Sequence, residues 1–240
     1  MLRVSVNFRR FLVPLIASVF FLAAGALKAS AYTISVNDAA GHAATADFTF
    51  SGGSLTLKLT NDGVDPHSAN NLLTGFTFDY ATTGLVLTSN TGVARNVADN
   101  GTWSDGASQS IGWTLDLSGA DPFLNFHPNS SLAIIGAPNS GTGNYTNANS
   151  SIAGNNPHNP FTATVGTFVI TGPSFTANTI ISNVVFTFGT EFEKNLTGSC
   201  TTCGADTRGD VPVPEPASLV LLSSALAGGA TMLRKRRGGK

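Results

Sequence analysis

Residues Ser54 to Thr60 read SLTLKLT, with Leu55, Leu57 and Leu59 alternating with Thr56, Lys58 and Thr60. Successive side chains of a strand point to opposite faces, so this segment buries three leucines and wets its other side. Asn61-Asp62-Gly63 follows as a turn sequence. The same two-residue period recurs outward from here. Thr74 to Tyr80 (TGFTFDY) sets Phe76, Phe78 and Tyr80 on one face, and Ile111 to Leu117 (IGWTLDL) aligns Ile111, Trp113, Leu115 and Leu117. Val165 to Thr171 and Val184 to Phe188 repeat it, and Leu85 to Thr88 is a shorter copy. Tyr32 to Val36, Asp47 to Phe50 and Leu132 to Ile135 are weaker ones. No segment between them sustains an apolar period of 3.6 residues. Scattered strands separated by turns predict an all-β domain over residues 32–211, an antiparallel β-sandwich of Greek-key or jelly-roll type.

Gly136 to Pro160 (GAPNSGTGNYTNANSSIAGNNPHNP) breaks the pattern. Its Gly, Asn, Ser and Pro content marks a long loop, expected to be mobile rather than a binding loop.

The chain has 240 residues, 42% hydrophobic and only 11% charged. An average soluble domain carries about 25% charged residues, and disorder goes with high charge and low hydrophobicity. Neither a disordered polyelectrolyte nor a polytopic membrane protein fits. The net charge of −1 hides a division: residues 32–211 hold 4 basic and 13 acidic side chains, a formal charge of −9, while both ends are basic. Nucleic acid is excluded as a partner, because its binding rests on Lys and Arg neutralising phosphates.

The two ends are addresses. Arg3, Arg9 and Arg10 precede an apolar run from Phe11 to Leu27, and Ala29-Ser30-Ala31 supplies small residues after it. Residues 1–31 are therefore a secretory signal peptide, which signal peptidase reads at Ala29 and Ala31 and cuts before Tyr32. Phe8 ahead of Arg9-Arg10 departs from a twin-arginine signal, so the general secretory route is expected. At the other end, Val211-Pro212-Val213-Pro214-Glu215-Pro216 is held extended by its prolines. Ala217 to Leu233 has no charge, and Arg234, Lys235, Arg236 and Arg237 follow at once. Seventeen apolar residues are at the short limit of a membrane-spanning helix, and the basic tail stays cytoplasmic, so the body is exported.

In that order, the Pro214-Glu215-Pro216 motif, the apolar helix 217–233 and the basic tail 234–240 resemble the PEP-CTERM sorting signal of exported bacterial proteins. The resemblance covers residues 212–240. It implies processing near the motif by an exosortase-like membrane enzyme and transient residence in the inner membrane. The destination it implies is the cell surface or extracellular matrix of a Gram-negative bacterium that makes extracellular polysaccharide.

The candidates for chemistry are sparse. Cys200 and Cys203 are the only cysteines, and export favours a disulfide between them. A zinc site would need two further ligands, and a redox Cys-x-x-C would need a helix start behind it. His42, His67, His127 and His158 lie scattered beside turn residues, and no nucleophile elbow or phosphate loop occurs. Glu191 and Glu193 would point the same way in a strand. Asn61 to Asp65, Asp99-Asn100-Gly101 and Asp105-Gly106 are oxygen-rich turns that could serve calcium or turn geometry alone. Trp103 and Trp113 flank Ser104 to Ala107 in an expected hairpin. Trp113, in phase with Ile111 and Leu115, belongs to the core, and Trp103 is open to either role.

No catalytic residue, metal or cofactor is expected. The sequence predicts a non-enzymatic surface or matrix protein, with interaction or structure as its task. A secreted carbohydrate-binding module is the alternative, and a secreted hydrolase stands behind it.

Overall fold

The computed structural model describes residues 30–126, 131–154 and 158–200. These hold twelve strands, β1 (Ser30–Asn37), β2 (Ala43–Ser51), β3 (Ser54–Asn61), β4 (Leu73–Phe78), β5 (Val86–Val97), β6 (Trp103–Ser110), β7 (Thr114–Asp116), β8 (Phe123–Asn125), β9 (Ile134–Ile135), β10 (Phe161–Thr171), β11 (Asn183–Phe188) and β12 (Lys194–Ser199). The expected all-β class is what the structure has.

The strands form one hydrogen-bonded sheet that folds over on itself. One arm runs β1-β2-β3-β10-β5-β6, and the other runs β12-β11-β4-β8-β7. Strand β9 joins them, parallel to β10 through Thr162 and Ile134 and antiparallel to β4 through Leu73. The expectation of a purely antiparallel sheet is corrected by this short parallel pair, which brings the chain from one arm to the other.

The arms face each other because their strands alternate. In β2, Ala44, Ala46, Phe48 and Phe50 are buried, as are Leu55, Leu57 and Leu59 of β3 and Phe168 and Ile170 of β10. They meet Phe76 and Phe78 of β4 and Val184, Phe186 and Phe188 of β11 in one core. Phe48 and Phe76 stand 6.0 Å apart across it, and Phe76 meets Phe186 edge-on at 5.1 Å. Such ring geometry adds to the area effect of burial. A second, smaller core holds Leu72, Val97, Ile135, Tyr145, Ile152 and Phe161. Strand β9 serves both, with Ile134 in the first and Ile135 in the second.

Two expected elements change. Ile111 to Leu117 is not one strand: Gly112 takes φ +76°, and only β7 remains extended. Ile111 and Trp113 are nevertheless core, and the Trp113 Nε1–H donates to the Leu132 carbonyl at 2.9 Å. Residues 104–107 are not a turn either. They lie inside β6, and the turn is Ala98 to Thr102, closed by the Ala98 N–H on the Thr102 carbonyl at 2.8 Å.

Candidate functional site

The β5–β6 hairpin overhangs the second core. Arg95 pairs with Asp105 and Val97 with Trp103 in its register. Residues opposed in this way share a face, so all four point toward the second core. Val97 reaches it and is buried. Trp103 and Asp105, one strand further out, stand at its rim.

Arg95 is the hub. Its Nε donates to Asp105 Oδ1 at 2.7 Å and its Nη2 to Asp105 Oδ2 at 2.8 Å, a two-pronged ion pair. Its Nη1 donates to the Tyr145 hydroxyl at 3.0 Å, and that hydroxyl donates to the Gly136 carbonyl at 2.8 Å. Arg95 is 7% exposed, so these partners stand in for the water its donors lose on burial. Burial disfavours its charge, but the bonds to Asp105 and Tyr145 outweigh burial and hold the guanidinium above its ordinary pKa. Burial likewise pushes the Tyr145 phenol up, against the opposing pull of Arg95.

Trp103 lies over this guanidinium, with the Arg95 Cζ 3.9 Å from its ring. A cation over an aromatic face is attracted by the ring's quadrupole. The indole Nε1–H donates to the Gly143 carbonyl at 2.8 Å. Trp103 is thus fixed at one edge and stacked on one face, yet 37% of it stays exposed. Thr102 and Ser104 flank it in the chain, as Thr142 and Asn144 flank Gly143.

The loop that reaches Trp103 begins at Gly136, and it is tied down rather than loose. Asp65 accepts from Asn139 Nδ2 at 3.0 Å, Thr146 Oγ1 at 2.6 Å and the Asn147 N–H at 3.0 Å. Burial would raise the Asp65 pKa, but these donors win and lower it. His67 Nδ1 holds the Asn147 carbonyl at 2.8 Å, and Tyr145 and Ile152 are buried. The expectation of a mobile loop is corrected here for residues 136–154.

The other candidates separate. Three of the four carboxylates of the oxygen-rich turns are engaged: Asp65 with the loop, Asp105 with Arg95, and Asp62 accepting from Thr45 Oγ1 at 2.6 Å. Among the described residues no group of three or more His, Cys, Asp or Glu side chains is placed to hold a metal ion. His42 Nδ1 sits 2.9 Å from Asp38 Oδ2, and Lys194 Nζ stands 3.6 Å from the same oxygen. Glu191 and Glu193 flank Phe192 in the turn between β11 and β12, not in a strand, and Phe192 has φ +57°.

Tyr32 and Ala31 lie within β1, where Ala31 pairs with Thr49 and Tyr32 with Phe48. Cys200 is half-buried against the main core, and its N–H donates to the Ser182 carbonyl at 3.2 Å. Ala29, His127, Cys203, the Pro214-Glu215-Pro216 motif, the 217–233 helix and Arg234 to Arg237 lie outside the described residues.

Sequence reasoning singled out Trp103, and Asp105 only as part of an oxygen-rich turn, but missed Arg95 and Tyr145. One signal was available, since Arg95 is one of only four basic residues between 32 and 211. No family model matches the chain, and neither a curated protein nor a solved structure matches it.

Proposed function

We propose that the chain is an exported structural or interaction protein of the cell surface or extracellular matrix. Its body is a β-sandwich of Greek-key or jelly-roll character. Signal peptidase frees it at Tyr32, the 217–233 helix holds it transiently in the inner membrane, and an exosortase-like enzyme processes it near Pro214-Glu215-Pro216. The observation that carries this reading is the order of three elements at the C-terminus: the motif, then 17 uncharged residues, then Arg234-Lys235-Arg236-Arg237. A lone tripeptide would carry little.

The body is read as non-enzymatic. Catalysis by a nucleophile and base needs them within hydrogen-bond reach and oriented by a third group. His42 Nδ1 is engaged with Asp38 and His67 Nδ1 with the Asn147 backbone carbonyl. The test is intact-mass measurement of protein from the native host. The expected mass begins at Tyr32 and lacks the basic tail, and surface-exposed protein that keeps Arg234 to Lys240 overturns the sorting reading.

A second reading, a secreted carbohydrate-binding module, is favoured by one observation. Trp103 is fixed in place with ring surface still open to solvent.

A further inference from the structure

Large exposed hydrophobic side chains are few among the described residues: Val64, Val86, Trp103 and Ile180. Trp103 differs from the other three in being clamped. The Gly143 carbonyl takes its only donor, and the Arg95 guanidinium, itself gripped by Asp105 and Tyr145, lies against its ring. An aromatic side chain that merely completes a core turns its area inward, as Trp113 does at 2% exposure. Here the polar handle is satisfied by the Gly143 carbonyl while 37% of the residue stays exposed.

We propose that Trp103 is a stacking platform for a neutral hexopyranose unit of a polysaccharide. The proposal rests on the carbohydrate-binding reading and names its site. The chemistry is that of a sugar's C–H face. It is apolar enough to cover an indole and is ringed by hydroxyls that need donors and acceptors at the rim. Thr102 precedes Trp103 in the chain, and Thr142 and Asn144 flank the Gly143 that holds it, so polar residues adjoin the platform in sequence. The one cation beneath the ring is already paired by Asp105, so nothing in the site calls for an anionic sugar. A nucleobase would stack as well, but the body's 13 acids against 4 bases repel its phosphates. The clamp gives the platform its value, because a ring already held in its bound position loses little freedom when ligand arrives.

The test uses the mature exported protein in native gels containing hydroxyethylcellulose, galactomannan, soluble starch, the host's own exopolysaccharide, polygalacturonate or single-stranded DNA. Retardation is expected with at least one neutral polymer and not with polygalacturonate or DNA. Trp113 is buried, so acrylamide quenching of fluorescence reports chiefly on Trp103, and bound polymer should protect it. Trp103→Ala should weaken retardation by about tenfold or more, the size expected for losing one stacked aromatic contact. Trp103→Phe keeps a ring and should retain part of it, and Ser108→Ala should retain all of it. Should Trp103→Ala fail to fold, Trp103→Phe and the quenching protection carry the test. Full retardation of Trp103→Ala, or binding without protection, overturns the site and leaves the carbohydrate reading standing. Retardation by no neutral polymer, or only by polygalacturonate or DNA, overturns both.

Discussion

Gly101 lies directly beneath the Tyr145 carbonyl. A Cβ on Gly101 would stand 2.3 Å from that oxygen, and the Tyr145 N–H donates to the Gly101 carbonyl at 2.9 Å. Gly101 also takes φ +76°, a region that L side chains rarely adopt. The hairpin turn and the loop from Gly136 are thereby sewn together at the point where Trp103 and Tyr145 converge on Arg95.

Gly101→Ala is therefore expected to destabilise the protein by roughly 2–4 kcal/mol, since backbone strain and a backbone clash add. A clear fall in the thermal midpoint checks it. Gly41→Ala is the control: it shares a positive φ but meets nothing within 4 Å, so strain alone acts there. Equal losses at both positions would remove the clash from the account.

Asp105→Asn keeps the shape of the side chain and removes its charge. Arg95 is 7% exposed and would keep only Tyr145 as a strong partner. Asp105 is itself 34% exposed at its side chain, so water can replace part of the loss. A cost of about 1–3 kcal/mol is expected, between that of a buried and a surface pair. Chemical denaturation measures it. The same variant should increase the acrylamide quenching of Trp103, because the guanidinium beneath the ring would no longer be fixed.

Asp38 predicts the acid limb of stability. The hydrogen bond to the His42 ring is the main cause, aided by the backbone N–H groups of His42 and Ala40, and it lowers the carboxyl to about 2. An unfolded Asp titrates near 3.9. A carboxylate depressed on folding stabilises above the unfolded value, and that contribution is lost as pH falls from about 4 through about 2. Asp38→Asn should flatten the denaturation midpoint across that interval. An unchanged slope would remove Asp38 from the acid response.

How far the sequence reaches is visible in two strands. The Leu-Thr alternation of β3 survives in the structure because that strand has one face in the core and one in solvent. Strand β6 (WSDGASQS) has all eight residues exposed, so no apolar period could announce it. Its conformation comes from pairing with β5, a long-range fact. The site was half legible for the same reason. Trp103 stood out by type, but its meeting with Arg95 depends on the β5–β6 register, and Tyr145 arrives from a loop whose composition suggested looseness.

A disulfide between Cys200 and Cys203 would close only a small loop, so its effect on the unfolded chain would be slight. Cys200→Ser with Cys203→Ser should leave the thermal midpoint nearly unchanged and speed proteolysis of residues 199–211. Thiol titration under denaturing conditions without reductant tests the premise, since two free thiols in exported protein would rule the disulfide out.

Tyr32 stands in β1 at the expected cut of the export signal. Its ring stacks on Phe48 at 5.0 Å and Phe50 at 6.0 Å, and its hydroxyl accepts the Ile181 N–H at 2.5 Å. A cut before Tyr32 removes the Ser30–Phe50 and Ala31–Thr49 pairs but keeps this anchor. A cut one residue later would remove the anchor itself, so the mature terminus is expected at Tyr32, which N-terminal sequencing reads. Tyr32→Phe leaves the Ile181 N–H without its acceptor and should cost about 1 kcal/mol at neutral pH. The variant also tests an alkaline limb. Burial pushes the Tyr32 phenol up to about 12, against an ordinary 10.0. A raised pKa means the contribution is whole below 10.0 and is lost as pH rises through about 12, because the unfolded chain releases its proton first. Wild-type protein should lose more stability than Tyr32→Phe across that interval, and parallel curves would show that the phenol plays no part.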